Sequence, residues 1–171
     1  MEVQEAIEKR NSIRKYEDRP VPEEKLLRVL EAARLAPSGR NCQDWKFIVV
    51  RDVEKIQDLG RLSGGQYHVH TAPVIIAAVA TDPEDLMPSG IPTSPVNLAI
   101  AIDHMTLAAI NEGLGTCWIG AFAQKEVKKL LGVPEKLSII ILLTLGFPGE
   151  AGRPKNRKAL EQIVCYDTYK D

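Results

Sequence analysis

Residues 10–14 read RNSIR. In an extended chain alternate side chains share a face, so Arg10, Ser12 and Arg14 stand together, with Asn11 and Ile13 opposite. Two guanidiniums and a hydroxyl on one side suit a phosphate, because arginine donates through a planar fork that matches such oxyanions. The same residues would also make an ordinary exposed basic strand end, and spacing alone favours that reading, since charges in loops usually face water. A second group lies in PSGRNCQDW, residues 37–45. Ser38, Asn41 and Gln43 carry neutral donors and acceptors, which suit the polar edge of a heteroaromatic ring, and Gly39 lets backbone approach a ligand closely. A plain turn of serine, glycine and asparagine has the same composition.

The third group is GLGTCWIGAF, residues 113–122. Its glycines have neither the spacing of a dinucleotide fingerprint nor a strand before them, so a Rossmann motif is excluded. A Gly-Ala pair after a strand can still present bare N–H groups to a ligand. His68 and His70 alternate as on one strand face, but no third ligand lies near them and His104 sits in an apolar run, so a zinc site is unsupported. No G-x-S-x-G occurs. Cys42, Cys117 and Cys165 form no C-x-x-C and are odd in number, which indicates reduced thiols rather than a disulfide framework.

The elements that must position these groups follow from periodicity and punctuation. Val3, Ala6 and Ile7 recur at helical spacing. Pro22, Glu23 and Glu24 suit the start of a second helix, with Leu26, Leu27, Leu30 and Ala33 as its inner face; Pro37 stops it at Ala36. KFIVV (46–50) reads as a strand, Asp52 as the cap of a helix over 53–61, and VIIAAVA (74–80) as a buried strand. Four prolines and a glycine make 81–95 a loop. Residues 97–111 are apolar on all sides, which predicts a buried, central helix. TCWI (116–119) and 138–146 are strands, separated by a helix over 124–131 that Gly132 closes. Gly149 to Lys158 is a polar arm, and Leu160, Ile163, Val164 and Tyr166 beyond it need a surface to cover. Strands interleaved with helices indicate α/β or α+β.

A chain of 171 residues, 44% hydrophobic and 26% charged, suits one domain over 1–171 with a sizeable core. A net charge of −1 and 5% aromatic content argue against a nucleic-acid or membrane-surface binder. The charged N-terminus carries no signal-peptide core, and the apolar runs are too short to span a bilayer; the chain is expected in the cytoplasm.

In their order along the chain, RNSIRKY, APSGRNCQDWKF, GLGTCWIGAF, LGFP and PKNRKALEQIV resemble the nitroreductase family of FMN-dependent oxidoreductases, here a short member. The resemblance implies an α+β, three-layer sandwich with a mixed, mainly antiparallel sheet, and a C-terminal arm (149–171) exchanged between the subunits of a homodimer. It implies that Arg10, Ser12 and Arg14 contact the flavin phosphate and ribityl chain, joined by Lys155 and Arg157. Pro37, Ser38, Gly39 and Asn41 would reach the flavin from the partner subunit, with Ile119, Gly120 and Ala121 beside the ring and Gln66 and His68 as polar contacts. No catalytic side chain is implied. Electrons would pass in ping-pong fashion from NADH or NADPH to a small electron-poor acceptor such as a nitroaromatic or a quinone. Two departures stand out. Asp44 replaces the family's usual proline before Trp45, which would put a carboxylate at the cleft rim. Only the loop 81–95 occupies the place of the extra helices that larger members carry over the site. A flavin-binding carrier or sensor without turnover would share these residues, and a plain interaction protein would leave the basic ones solvated.

Overall fold

The computed structural model describes residues 1–170; Asp171, the last residue of the expected exchanged arm, lies outside the described residues. Four strands, β1 (Trp45–Val50), β2 (Val74–Ala80), β3 (Gly115–Ile119) and β4 (Ser138–Gly146), form one sheet in the order β1-β2-β4-β3. All three pairings are antiparallel, and the parallel component is a single bridge from Ser12 to Thr116. The sheet's pleat sorts side chains onto two faces. On β2, Val74, Ile76, Ala78 and Ala80 turn to one apolar layer and Ile75, Ala77 and Val79 to the other. The first layer is capped by α2 (Glu23–Arg34) and α5 (Thr93–Asn111), and the second by α3 (Val53–Leu62), α4 (Tyr67–His70) and α6 (Gln124–Leu131). The seven residues of α1 (Val3–Lys9) lie against α5. The result is the three-layer α+β sandwich, with buried strands that read as continuous apolar runs because both faces are covered.

Several expectations change in detail. On α2 the inner face is Leu26, Val29 and Ala33, while Leu27 is 54% exposed; positions i, i+3 and i+7 share a face and i+1 is turned about 100° away from it. Helix α5 starts at Thr93 rather than Asn97, so 93–95 leave the loop. Pro92 stands at the N-cap position without a side-chain capping bond, and Pro95 falls in the first turn, where a missing N–H costs nothing. Its enclosure is one-sided: Leu98, Ile102 and Met105 are sealed in the core, but Val96 remains 41% exposed. His68 and His70 lie on a helical turn, not a strand, because the following strand begins only after Pro73.

Candidate functional site

Residues 10–16 run as a strap along the outer edge of β3. The Ile13 N–H donates to the Thr116 carbonyl at 2.9 Å, and Ile13 is buried under the sheet's second face. Gly115 is required here, since a Cβ on it would collide with Ile13. Tyr16 pins the strap's far end: its hydroxyl lies 2.6 Å from Thr144 Oγ1 and donates or accepts within the buried layer, with the Ile13 carbonyl 3.1 Å away. Burial pushes the Tyr16 phenol far above its ordinary value.

The tail doubles back over this strap. The Gly149 N–H donates to the Lys15 carbonyl at 2.8 Å, and the Arg14 N–H donates to Glu150 Oε1 at 2.9 Å. Lys155 Nζ donates to the carbonyls of Ile7, at 2.9 Å, and Glu8. Strap and tail together enclose a cleft of about 150 Å³ whose cationic lining is Arg10, Arg14, Arg153, Lys155 and Arg157, with Ser12 among them. Among the described residues none of these five cations forms an ion pair, whereas surface residues such as Lys9, Arg34 and Arg61 each meet a carboxylate. Five like charges in one concavity repel unless an anion joins them. Burial, and then the positive charges of Arg10 and Arg157, draw the Lys155 ammonium below the ordinary lysine range.

At the end of β3 the chain turns through Gly120 and Ala121, both exposed. Their N–H groups have no acceptor among the described residues. Gln66 Nε2 donates to the Ser63 carbonyl at 2.9 Å and reaches the Ala121 carbonyl at 3.5 Å, so the 119–121 turn and the start of α4 are adjacent. His68 is 8% exposed and its Nε2 is buried without a partner. Burial and the nearby Arg14 charge hold its imidazole below the ordinary histidine value. Cys117 lies buried beneath the strap, and burial raises its thiol.

The structure thus brings Arg10, Ser12, Arg14, Gln66, Ile119, Gly120, Ala121, Lys155 and Arg157 to one side of the molecule. It does not bring Pro37, Ser38, Gly39 and Asn41 there. Those precede β1, at the opposite end of the sheet, and four strand spacings of ~4.8 Å put about 19 Å between β1 and the strap. The 37–44 loop is fastened instead to α5 and the loop before it: the Gly39 N–H donates to Asn97 Oδ1 at 3.0 Å, and Arg40 pairs with Asp85 at 2.8 Å. Asp44 corrects an expectation. It is 6% exposed, not at a rim, because Ser94, Asn97 and Cys42 all turn donors onto its carboxylate. Sequence reasoning missed Arg153, although the period-two logic applied to 10–14 also aligns Arg153, Lys155 and Arg157. It missed Ser94 and Asn97 too: the first was read into the loop 81–95, and the second was concealed in a helix read as apolar on all sides.

The model of the Nitroreductase family matches residues 7–67 and 61–147. The chain is 31% identical to an NADH dehydrogenase of Thermus thermophilus, over 97% of this chain and 96% of that protein. It is 32% identical to an FMN reductase (NAD(P)H) of Bacillus subtilis, over 98% of this chain and 74% of the relative. Among solved structures, an FMN-dependent nitroreductase from Clostridium difficile superposes with a TM-score of 0.84 at 31% identity, covering 96% of this chain and 98% of the other.

Proposed function

Because this chain belongs to the nitroreductase family, we infer that it is an NAD(P)H-dependent flavin oxidoreductase that carries FMN. The observation that carries the reading is the cleft around Ser12, where five cationic side chains form no ion pair among the described residues and Glu150 meets only the Arg14 backbone N–H. A terminal phosphomonoester fits that donor set, through the bidentate arginine fork and the serine hydroxyl. The residues beyond the cleft fit the remainder of the same cofactor: the free N–H groups of Gly120 and Ala121 suit ring acceptors, and the orphaned Nε2 of His68 is a buried polar group in want of a partner.

FMN, when bound, supplies two-electron chemistry between NADH or NADPH and an electron-poor small molecule such as a nitroaromatic or a quinone, the two using one place in turn. The chain's own part is to bind and to set electrostatics. Arg10, Arg14, Arg153, Lys155 and Arg157 neutralise the phosphate; Ile119 to Ala121 and Gln66 orient the ring; fixed N–H dipoles and cations favour negative charge on it without reorganising. No side chain need donate or accept a proton from the substrate.

A homodimer completes this reading. The 37–41 loop reaches no cleft of its own chain, so Pro37, Ser38, Gly39 and Asn41 serve the flavin of a second copy. Apolar side chains left open on the first layer and the tail, such as Leu27, Leu35, Ile7, Leu160 and Ile163, are the surface that copy covers. The described residues form one folding unit, with 149–171 as the exchanged arm. No described helix is long and apolar enough to cross a membrane, and three free thiols suit the reducing cytoplasm.

The test is the colour of the pure protein and its response to electrons. Yellow protein that releases FMN, bleaches anaerobically with NADH or NADPH and recovers colour with a nitroaromatic is expected. Yellow protein that NAD(P)H leaves unchanged would be a carrier or sensor, and colourless protein that FMN cannot reconstitute would remove the reading altogether.

A further inference from the structure

The 37–44 loop is held in a conformation that its residues do not favour. Arg40, Asn41 and Gln43 have φ values of 53°, 55° and 49°, a left-handed region that asparagine tolerates but that costs Arg40 and Gln43 about 1 kcal/mol each or more. Something must hold them there. The exposed Arg40–Asp85 pair is solvated and weak. The stronger fastening is inside. Asp44 Oδ1 accepts from Asn97 Nδ2 at 2.7 Å and from Cys42 Sγ at 3.3 Å, and Oδ2 accepts from the Ser94 hydroxyl. Ser94 and Asn97 are 0% and 3% exposed. Asn97 passes the restraint on, since its Oδ1 accepts the Gly39 N–H at 3.0 Å. The Asp44 carbonyl accepts the Thr81 N–H at 3.0 Å, which ties the same point to the end of β2. Asp44 therefore joins the strained loop to the first turn of α5 through its buried carboxylate and to the sheet through its backbone carbonyl.

We propose that Asp44 is a positioning residue that acts across the subunit boundary: through Asn97 and Ser94 it fixes the 37–43 loop as a wall of the flavin site whose phosphate cleft belongs to the other copy. This rests on the flavin-dimer reading above. The carboxylate's ionisation is consistent with it. Burial alone would raise its pKa, but the hydrogen bonds from Ser94, Asn97 and Cys42 outweigh burial and the net direction is downward, so the group stays charged at working pH.

The experiment measures FMN binding by Asp44→Asn, Ser94→Ala and Arg14→Ala proteins, and by a mixed dimer made from one Asp44→Asn subunit and one Arg14→Ala subunit carrying different tags. Asp44→Asn is expected to weaken FMN by about tenfold and to change the visible circular dichroism of flavin bound at saturation, a signal of ring environment rather than chain stability. Ser94→Ala shifts both in the same direction. In the mixed dimer one site combines both defects and the other has neither, so one site of wild-type affinity per dimer should return. Unchanged FMN affinity and dichroism in Asp44→Asn, with Arg14→Ala weakened, would overturn the positioning role while leaving the cofactor reading in place. A mixed dimer without any tight site would show that the loop acts within its own chain. FMN affinity indifferent to both Arg14 and Asp44 would sink the cofactor reading and the proposal with it. Should Asp44→Asn not fold, Ser94→Ala, which keeps the carboxylate, is read in the same mixed dimer by the same criteria.

Discussion

Strand β3 is screened along its outer edge by residues 12–16 of its own chain, while β1, at the other end of the same sheet, has no strand beyond it among the described residues. Each edge carries half of a candidate site, built on opposite principles. At the covered edge the strap is bonded to β3 through the Ile13 N–H, the apolar residues Ile13 and Tyr16 are buried, and cations stand at the surface. At the bare edge the charge is negative, single and buried, and it is satisfied by neutral donors. The first arrangement invites an anion. The second holds a loop still. A single copy keeps them about 19 Å apart by strand spacing alone, so on the proposed flavin reading one copy would grip a phosphate without enclosing what is attached to it.

The largest effect should come from removing what links the two edges. Deleting 156–171 leaves the strap, Arg153 and Lys155 but removes Arg157 together with Leu160, Ile163, Val164 and Tyr166. Burial of each apolar side chain contributes roughly 1.5–3 kcal/mol, so the dimer should dissociate and FMN be lost, as read by light scattering and flavin fluorescence. A truncated protein that stays a yellow dimer would break the comparison, because the bare edge would then need no second chain. Next in size is Ile13→Ala. Ile13 is 5% exposed, and truncation of such a side chain costs about 2–5 kcal/mol, measurable by urea unfolding. The matching change at the bare edge, Lys46→Ala, should stay within about 0.5 kcal/mol.

A narrower change separates binding from stability at the covered edge. Arg14→Ala should leave unfolding nearly unaltered and weaken FMN by about one to two powers of ten, since a hydrogen bond to a charged group contributes roughly 1.5–3 kcal/mol. Arg157→Ala, whose guanidinium reaches only the Asn156 carbonyl, at 3.5 Å, among the described residues, should weaken FMN and spare the dimer. Titration of apo-protein decides both, and an unchanged dissociation constant for Arg14→Ala would return that residue to the role of a solvated charge.

The covered edge was far more legible in the sequence than the bare one. Arg10, Ser12 and Arg14 obey a period of two, and β2 and the Gly132 stop at the end of α6 are local signals that survive in isolation. The cap of α3 is equally local: the Asp52 side chain accepts the Lys55 N–H at 2.9 Å. The bare edge depends on contacts between residues 53 apart, Asp44 and Asn97, and no local pattern marks them. An aspartate in a polar loop reads as exposed, Ser94 reads as part of the proline-rich loop 81–95, and Asn97 is lost at the start of an apolar run. Their burial follows only once α5 is laid against the start of β1. The α4 turn was misread for a related reason: four residues are too few to distinguish a helical from an alternating pattern.

The smallest expected effect concerns acid, and it falls on the two edges in different pH windows. A group whose folded pKa lies below its unfolded value binds its proton later in the native state, so stability is full above the unfolded value and falls as pH drops below it. For Asp44 that decline starts only below about 3.8. For His68, neutral because of burial and Arg14, it starts below about 6.5. Between pH 7 and about 5.5, then, the covered edge should weaken while the bare edge does not. His68→Gln, which cannot take up the proton, should flatten that part of the curve in the apo-protein, and Asp44→Asn should leave its slope unchanged. One proton limits the slope to about 1.4 kcal/mol per pH unit, so urea unfolding at the two pH values resolves it. Equal slopes in wild type and His68→Gln would mean that His68 is as free to protonate when folded as when unfolded. Its orphaned Nε2 would then be reaching water, and the imidazole would no longer count among the groups awaiting a ligand.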